Sequence, residues 1–207
     1  MIQERPLFFN RGTSRLEGLY RAGQGTMGAV ISHPHPLMGG DMRNSVVETV
    51  TGSLAAGGLS TLRFNFRGVG MSEGVFDEGR GEQADVLAAV TYLERQGIQE
   101  ILLAGYSFGA WVNANVLLQR SLLPTVLVSP PITLFPLNLD LLRGKVGVMI
   151  CGDYDAYCPV DAATSASVRI SCPLAIIPDA DHFWIGKELE LAARIDAFGT
   201  RLRQKKS

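Results

Sequence analysis

The sequence predicts an α/β fold: a doubly wound, mostly parallel sheet with an antiparallel hairpin at one edge and no lid domain. Three observations predict it. Apolar, strand-like segments near 27–32, 60–66, 100–105, 124–129, 145–151 and 173–178 alternate with helix-like segments near 43–57, 80–96, 108–120, 160–169 and 187–203. Such alternation belongs to a sheet covered on both faces by the helices of right-handed crossovers. Two further strand-like runs precede the alternation, and a strand-turn-helix junction, Gly105-Tyr106-Ser107-Phe108-Gly109, sits in the middle of it. A chain of 207 residues can bury about 70% of its unfolded surface in one core. No repeat, low-complexity tract or linker interrupts it, so residues 1–207 are expected to form a single domain.

In chain order, Leu7-Phe8-Phe9 and Leu16 to Tyr20 flank the turn-rich Asn10-Arg11-Gly12-Thr13-Ser14 and read as the antiparallel hairpin. Gly23-Gln24-Gly25-Thr26-Met27-Gly28 has the G-x-G-x-x-G spacing, but a strand-like run follows it instead of a helix, so it reads as a flexible hairpin loop and not as a dinucleotide site. The segment Arg63 to Gly74 (RFNFRGVGMSEG) ends a strand in a tight glycine turn, where Arg67 is expected to tie loops together. One connection breaks the alternation. Residues 129–142 are apolar and proline-rich, which forbids a long helix and leaves either a loop packed on the core or an apolar wall of a binding site.

Composition excludes several classes. Nineteen Lys and Arg against twenty Asp and Glu give a net charge of −1, which favours neither nucleic acid nor an anionic membrane as partner. The basic tail Arg201 to Lys206 reads as charge complementing a final helix end. No apolar run is long enough to span a bilayer. The start, Met1-Ile2-Gln3-Glu4-Arg5-Pro6, has no basic region followed by an apolar core, so no secretory signal is expected. Cys151, Cys158 and Cys172 are odd in number and lack a C-x-x-C pair, which fits a reduced, cytoplasmic setting. The sequence leaves the oligomeric state open, a homodimer included.

The chemistry centres on Ser107. In G-x-S-x-G a strand turns sharply into a helix, the flanking glycines leave room for the turn, and the serine hydroxyl stands above the sheet. The N–H of Phe108, in the first helical turn, needs no intrahelical partner and is a candidate oxyanion donor. A serine needs a base and the base needs an orienting acid, both at carboxyl ends of strands. His182 follows the strand-like Ala175-Ile176-Ile177 and is the expected base; Asp155, in the loop after Val146 to Cys151, is the expected acid, ahead of Asp153 and Asp161. His33 and His35 could be proposed as zinc ligands, but a stiff turn that aims a backbone amide at the oxyanion is the preferred reading. Pro34 and Pro36 have no N–H, so His35 and Leu37 are the candidate donors, and Leu37 is the one expected. His35, Pro131 and Phe135 are candidates for the substrate pocket.

The chain order Ser107, Asp155, His182 is that of α/β-hydrolases. The stretches His33 to Asn44 (HPHPLMGGDMRN), Arg63 to Gly74, Gly105 to Gly109, Gly152 to Asp155 and Asp181-His182 together resemble the small, lidless α/β-hydrolases with an HPHPxxGG loop, a group similar to dienelactone hydrolases and serine esterases. The resemblance covers about residues 29–198 and implies the α/β-hydrolase fold, a Ser-Asp-His triad and an oxyanion loop, without a substrate. The expectation is a serine hydrolase of carboxylic ester or thioester bonds in small or short-chain molecules, working without a metal or organic cofactor. A peptidase or amidase with the same triad, and a non-catalytic binding protein that keeps the fold, are the alternatives.

Overall fold

The computed structural model describes residues 3–204; Met1 and Ile2 at the start, and Lys205 and Lys206 of the basic tail, lie outside the described residues. The elements run β1 (Arg5–Arg11), β2 (Ser14–Arg21), β3 (Met27–Ser32), α1 (Ser45–Ala56), β4 (Ser60–Phe64), α2 (Arg80–Arg95), β5 (Glu100–Tyr106), α3 (Phe108–Val116), β6 (Leu123–Val128), β7 (Val146–Gly152), α4 (Val160–Ile170), β8 (Leu174–Ile177) and α5 (Glu188–Gln204). They form an eight-stranded sheet in the order β1-β2-β4-β3-β5-β6-β7-β8. β1 pairs with β2, and β2 with β4, antiparallel; all other pairs are parallel. This is the expected class, with the hairpin extending one edge.

Apolar runs with no visible alternation become two separate half-cores. In β5, Leu102, Ala104 and Tyr106 face α1 and α5, while Ile101 and Leu103 face the opposite core with α2 and α3. Val46, Val50 and Leu54 of α1 and Leu191, Ile195 and Phe198 of α5 recur at helical spacing and seal the first face. Each such side chain contributes roughly 1.5–3 kcal/mol relative to leaving it exposed.

Three connections differ from expectation. Residues 22–26 are not a hairpin loop, because β2 and β3 flank β4 on opposite sides; the segment crosses the start of β4 instead. It is fastened there by Gly23 N–H to Ser60 Oγ (2.8 Å) and Gln24 N–H to Gly58 O (3.0 Å). β4 stops at Phe64, not 66. Beyond it the Asn65 amide still reaches Glu17 O of β2 (3.0 Å), and the strand breaks off at Phe66, whose amide donates to His33 Nε2 (3.0 Å). α3 likewise ends at Val116, and residues 117–120 continue in tighter turns with bonds such as Gln119 N–H to Val116 O (2.9 Å).

Arg67, expected to tie loops together, instead fastens the turn after β4 to helix α2. Its backbone N–H, Nε and Nη2 donate to the buried Asp85 (3.1, 3.0 and 2.8 Å), and Nη2 also donates to Gly81 O. No helix among the described residues is long and apolar enough to cross a membrane.

Candidate active site

β5 enters the elbow and α3 leaves it, with Ser107 between them at φ 54°, ψ −122°. A non-glycine residue there costs on the order of 1–3 kcal/mol, which surrounding packing must offset. The flanking glycines explain how the turn fits. A Cβ on Gly105 would lie 2.6 Å from the backbone of Gly109, and one on Gly109 would lie 2.4 Å from Ser32 O, so β5, α3 and the end of β3 touch backbone to backbone. This contact brings the turn after β3 against the elbow.

Ser107 Oγ lies 2.9 Å from His182 Nε2, and His182 Nδ1 lies 2.9 and 3.0 Å from the two oxygens of Asp155. Three residues from the carboxyl ends of β5, β7 and β8 thus form one hydrogen-bonded row. Asp155 is fully buried as a side chain. Its Oδ1 accepts from the Tyr157 and Cys158 amides (2.9 and 3.0 Å). Burial opposes its ionisation, but the His182 ring, the Ser129 hydroxyl and the Cys158 amide outweigh that and hold it below the usual carboxylate range. Asp153 and Asp161 are exposed, and neither meets His182; Asp153 also makes no side-chain hydrogen bond to its own turn among the described residues.

Backbone contacts hold the histidine. The Tyr106 hydroxyl donates to His182 O (2.6 Å), and burial, with the charges of Asp155 and Asp181, raises the Tyr106 pKa so that it stays a donor. Asp181 Oδ1 accepts from the Phe183 and Trp184 amides (2.9 and 3.1 Å), closing the turn that presents His182. Trp184, fully buried, donates from Nε1 to Ser129 Oγ (3.0 Å), the hydroxyl that also faces Asp155. Sequence reasoning missed Ser129, Trp184 and Tyr106. Ser129 could have been found by its place just beyond β6, and Trp184 by the need of a buried indole N–H for an acceptor.

The turn after β3 corrects one expectation. The Leu37 amide donates to His35 Nδ1 (3.2 Å), capping the short 3₁₀ turn Pro36–Met38, and the Leu37 side chain is 72% exposed and outside the cleft. Leu37 is therefore not a free donor. The His35 N–H makes no hydrogen bond among the described residues, and neither does that of Phe108 at the first position of α3. His33 is fully buried with Nε2 taken by the Phe66 amide and Nδ1 2.7 Å from Pro34 O, so both nitrogens serve the backbone and neither is available to a metal. Burial lowers its pKa to about 4, against the hydrogen bond to Pro34.

A cleft of about 370 Å³ opens over this row. His35, Pro131 and Phe135 all line it, together with Met38, Leu134 and Tyr157, so the proline-rich connection contributes a wall. Phe108 and Phe135 pack against His35 with ring centroids 4.9 and 6.3 Å away. Cys151, Cys158 and Cys172 are free and buried.

No family model matches the sequence. An uncharacterised protein of Rickettsia prowazekii (strain Madrid E) is 33% identical over 207 aligned residues, covering 93% of this chain and 87% of that one. Among solved structures, an α/β serine hydrolase homologue from Coxiella burnetii is 31% identical with a TM-score of 0.86, covering 95% of this chain and 98% of its own. A protein of unknown function from Agrobacterium tumefaciens, described as an α/β hydrolase, is 30% identical with a TM-score of 0.89 and 97% coverage of both chains. A Xanthomonas campestris α/β serine hydrolase without a lid is 25% identical with a TM-score of 0.87, covering 96% of this chain and 94% of its own. On fold and sequence together, this chain belongs to the α/β-hydrolases.

Proposed function

We propose that this hydrolase cleaves carboxylic ester or thioester bonds of small substrates through a covalent acyl-enzyme on Ser107. The row Ser107 Oγ, His182 Nε2, His182 Nδ1, Asp155, with each link near 2.9 Å, carries the proposal. His182 Nε2 takes the hydroxyl proton as Ser107 Oγ bonds to the carbonyl carbon, and the carbonyl oxygen becomes an oxyanion. The amides of Phe108 and His35 receive that charge; one such donor is worth about 10²–10³ in rate. The carbon–oxygen or carbon–sulfur bond then breaks, and His182 gives its proton to the leaving alkoxide or thiolate. Water attacks the acyl-serine, loses a proton to His182 and releases the acid, with Ser107 regaining its proton. Asp155 holds the imidazole in the tautomer with Nδ1–H and stabilises its cation. The serine hydrolases from Coxiella and Xanthomonas support the reading by likeness.

A fluorophosphonate probe tests it. Intact protein should gain one probe mass, mapped to Ser107, and the Ser107→Ala variant should gain none. Folded wild-type protein that never labels would sink the proposal. Hydrolysis of p-nitrophenyl esters above the Ser107→Ala background, and its absence on aminoacyl-amides, separates an esterase from a peptidase.

A further inference from the structure

The turn that carries His35 also decides which ring nitrogen bears its proton. The Leu37 N–H donates to Nδ1, so in the neutral imidazole the hydrogen sits on Nε2, at the opposite edge of the ring. Burial lowers the pKa of His35, against the charge of Glu82, and its flank of Phe76, Phe108 and Phe135 favours the neutral form. Nε2 has no hydrogen-bond partner among the described residues, although the half-buried ring lines the cleft with Ser107. A neutral donor therefore stands in an aromatic wall. No Asp, Glu, Lys or Arg among the described residues lines the same cleft. Asn44, whose side-chain amide also lines the cleft, spends its oxygen capping α1 through the Val46 amide (3.0 Å), which leaves its NH₂ as a second neutral donor.

Resting on the ester-hydrolase reading, we propose that His35 is a specificity-determining residue: its Nε2–H donates to an uncharged oxygen acceptor on the acyl group of the substrate. The preferred acyl chains are then neutral and carry an ether, hydroxyl or carbonyl oxygen a few bonds from the scissile carbonyl. A plain alkyl chain leaves this donor desolvated and unpaired, and a charged chain meets no counter-ion.

The test compares isosteric esters, p-nitrophenyl pentanoate against p-nitrophenyl ethoxyacetate and p-nitrophenyl 3-methoxypropanoate, with each rate divided by that ester's hydroxide-catalysed rate. The quantity read is the ether-to-alkyl ratio of kcat/KM, in which losses common to both esters cancel. For the better ether, His35→Phe, which keeps an aromatic ring without the donor, should lower the ratio about tenfold. His35→Asn supplies an oxygen that can still cap the Leu37 amide but is too short to place a donor where Nε2–H stands, and it should lower the ratio similarly. Fluorophosphonate labelling checks that each variant is folded and competent. Ratios within about twofold of wild type in either labelling-competent variant, for both ethers, overturn the assignment of His35. Absence of Ser107-dependent turnover on every ester, in folded wild-type protein, overturns the ester-hydrolase reading itself and this assignment with it.

Discussion

Asp85 and Asp155 are both carboxylates with fully buried side chains, each satisfied by several donors, and each anchors a turn beyond the carboxyl end of a strand. Asp85 meets Arg67 three times and Arg11 once, at 2.9 Å. Guanidinium does not give up its proton at any working pH, so that pair is a fixed fastening between β4, the hairpin and α2. Asp155 meets an imidazole instead, and the far nitrogen of that ring reaches a hydroxyl in an open cleft. A buried charge pair by itself marks no chemistry. A partner able to move a proton, with a serine hydroxyl at the end of the row, makes the difference. The histidines repeat the contrast: His33 has both nitrogens committed to backbone, whereas His182 shares one with an acid and one with Ser107.

The two carboxylates should fail in opposite ways. Asp155→Asn should lower kcat by about 10⁴-fold, the loss expected when the base is held in the wrong tautomer, with little change in unfolding free energy. Steady-state ester hydrolysis beside a urea melt measures both. Asp85→Asn should lower unfolding free energy by about 3 kcal/mol, by leaving the buried Arg67 guanidinium without its buried counter-charge, while folded protein keeps kcat/KM within about threefold. A stable Asp85→Asn protein with kcat reduced as far as in Asp155→Asn would break the comparison.

The smallest effect sharpens the histidine contrast. The pKa of folded His33 is about 4 against an ordinary 6.5, so the unfolded chain binds its proton first as pH falls. The stabilisation is complete above pH 6.5 and is lost as pH falls towards 4. Between pH 8 and pH 5 it should cost about 2 kcal/mol of unfolding free energy. In a His33→Gln variant, whose side-chain oxygen can take the Phe66 amide, the fall over that range should be smaller by the same amount. An equal fall in both proteins would show that His33 is not the titrating group.

Much of this was legible because it is local. β3 at Met27–Ser32 and α2 at Arg80–Arg95 follow from apolar periodicity and turn residues within a few positions, and the elbow follows from two glycines around one serine. The filter that places reactive groups at carboxyl ends of strands depends only on topology, and it led to Asp155 and His182. Residues 22–26 were misread because consecutive strands usually pair, and nothing within that segment records that β4, encoded later, inserts between β2 and β3. Leu37 was misread because two amides in one proline-framed turn look alike until a side chain claims one of them.

The sequence by itself determined the main elements, their order along the chain and the residue types available at each strand end, since these rest on periodicity, backbone preference and chain order. Only the tertiary structure decided which polar atoms remain free. It spent the Leu37 amide on His35, both nitrogens of His33 on the backbone and the Ser129 hydroxyl between Trp184 and Asp155, leaving the amides of His35 and Phe108 unclaimed among the described residues. The physical reason is that hydrogen bonds operate within about 3 Å, so their pairing depends on contacts made between segments far apart in the chain.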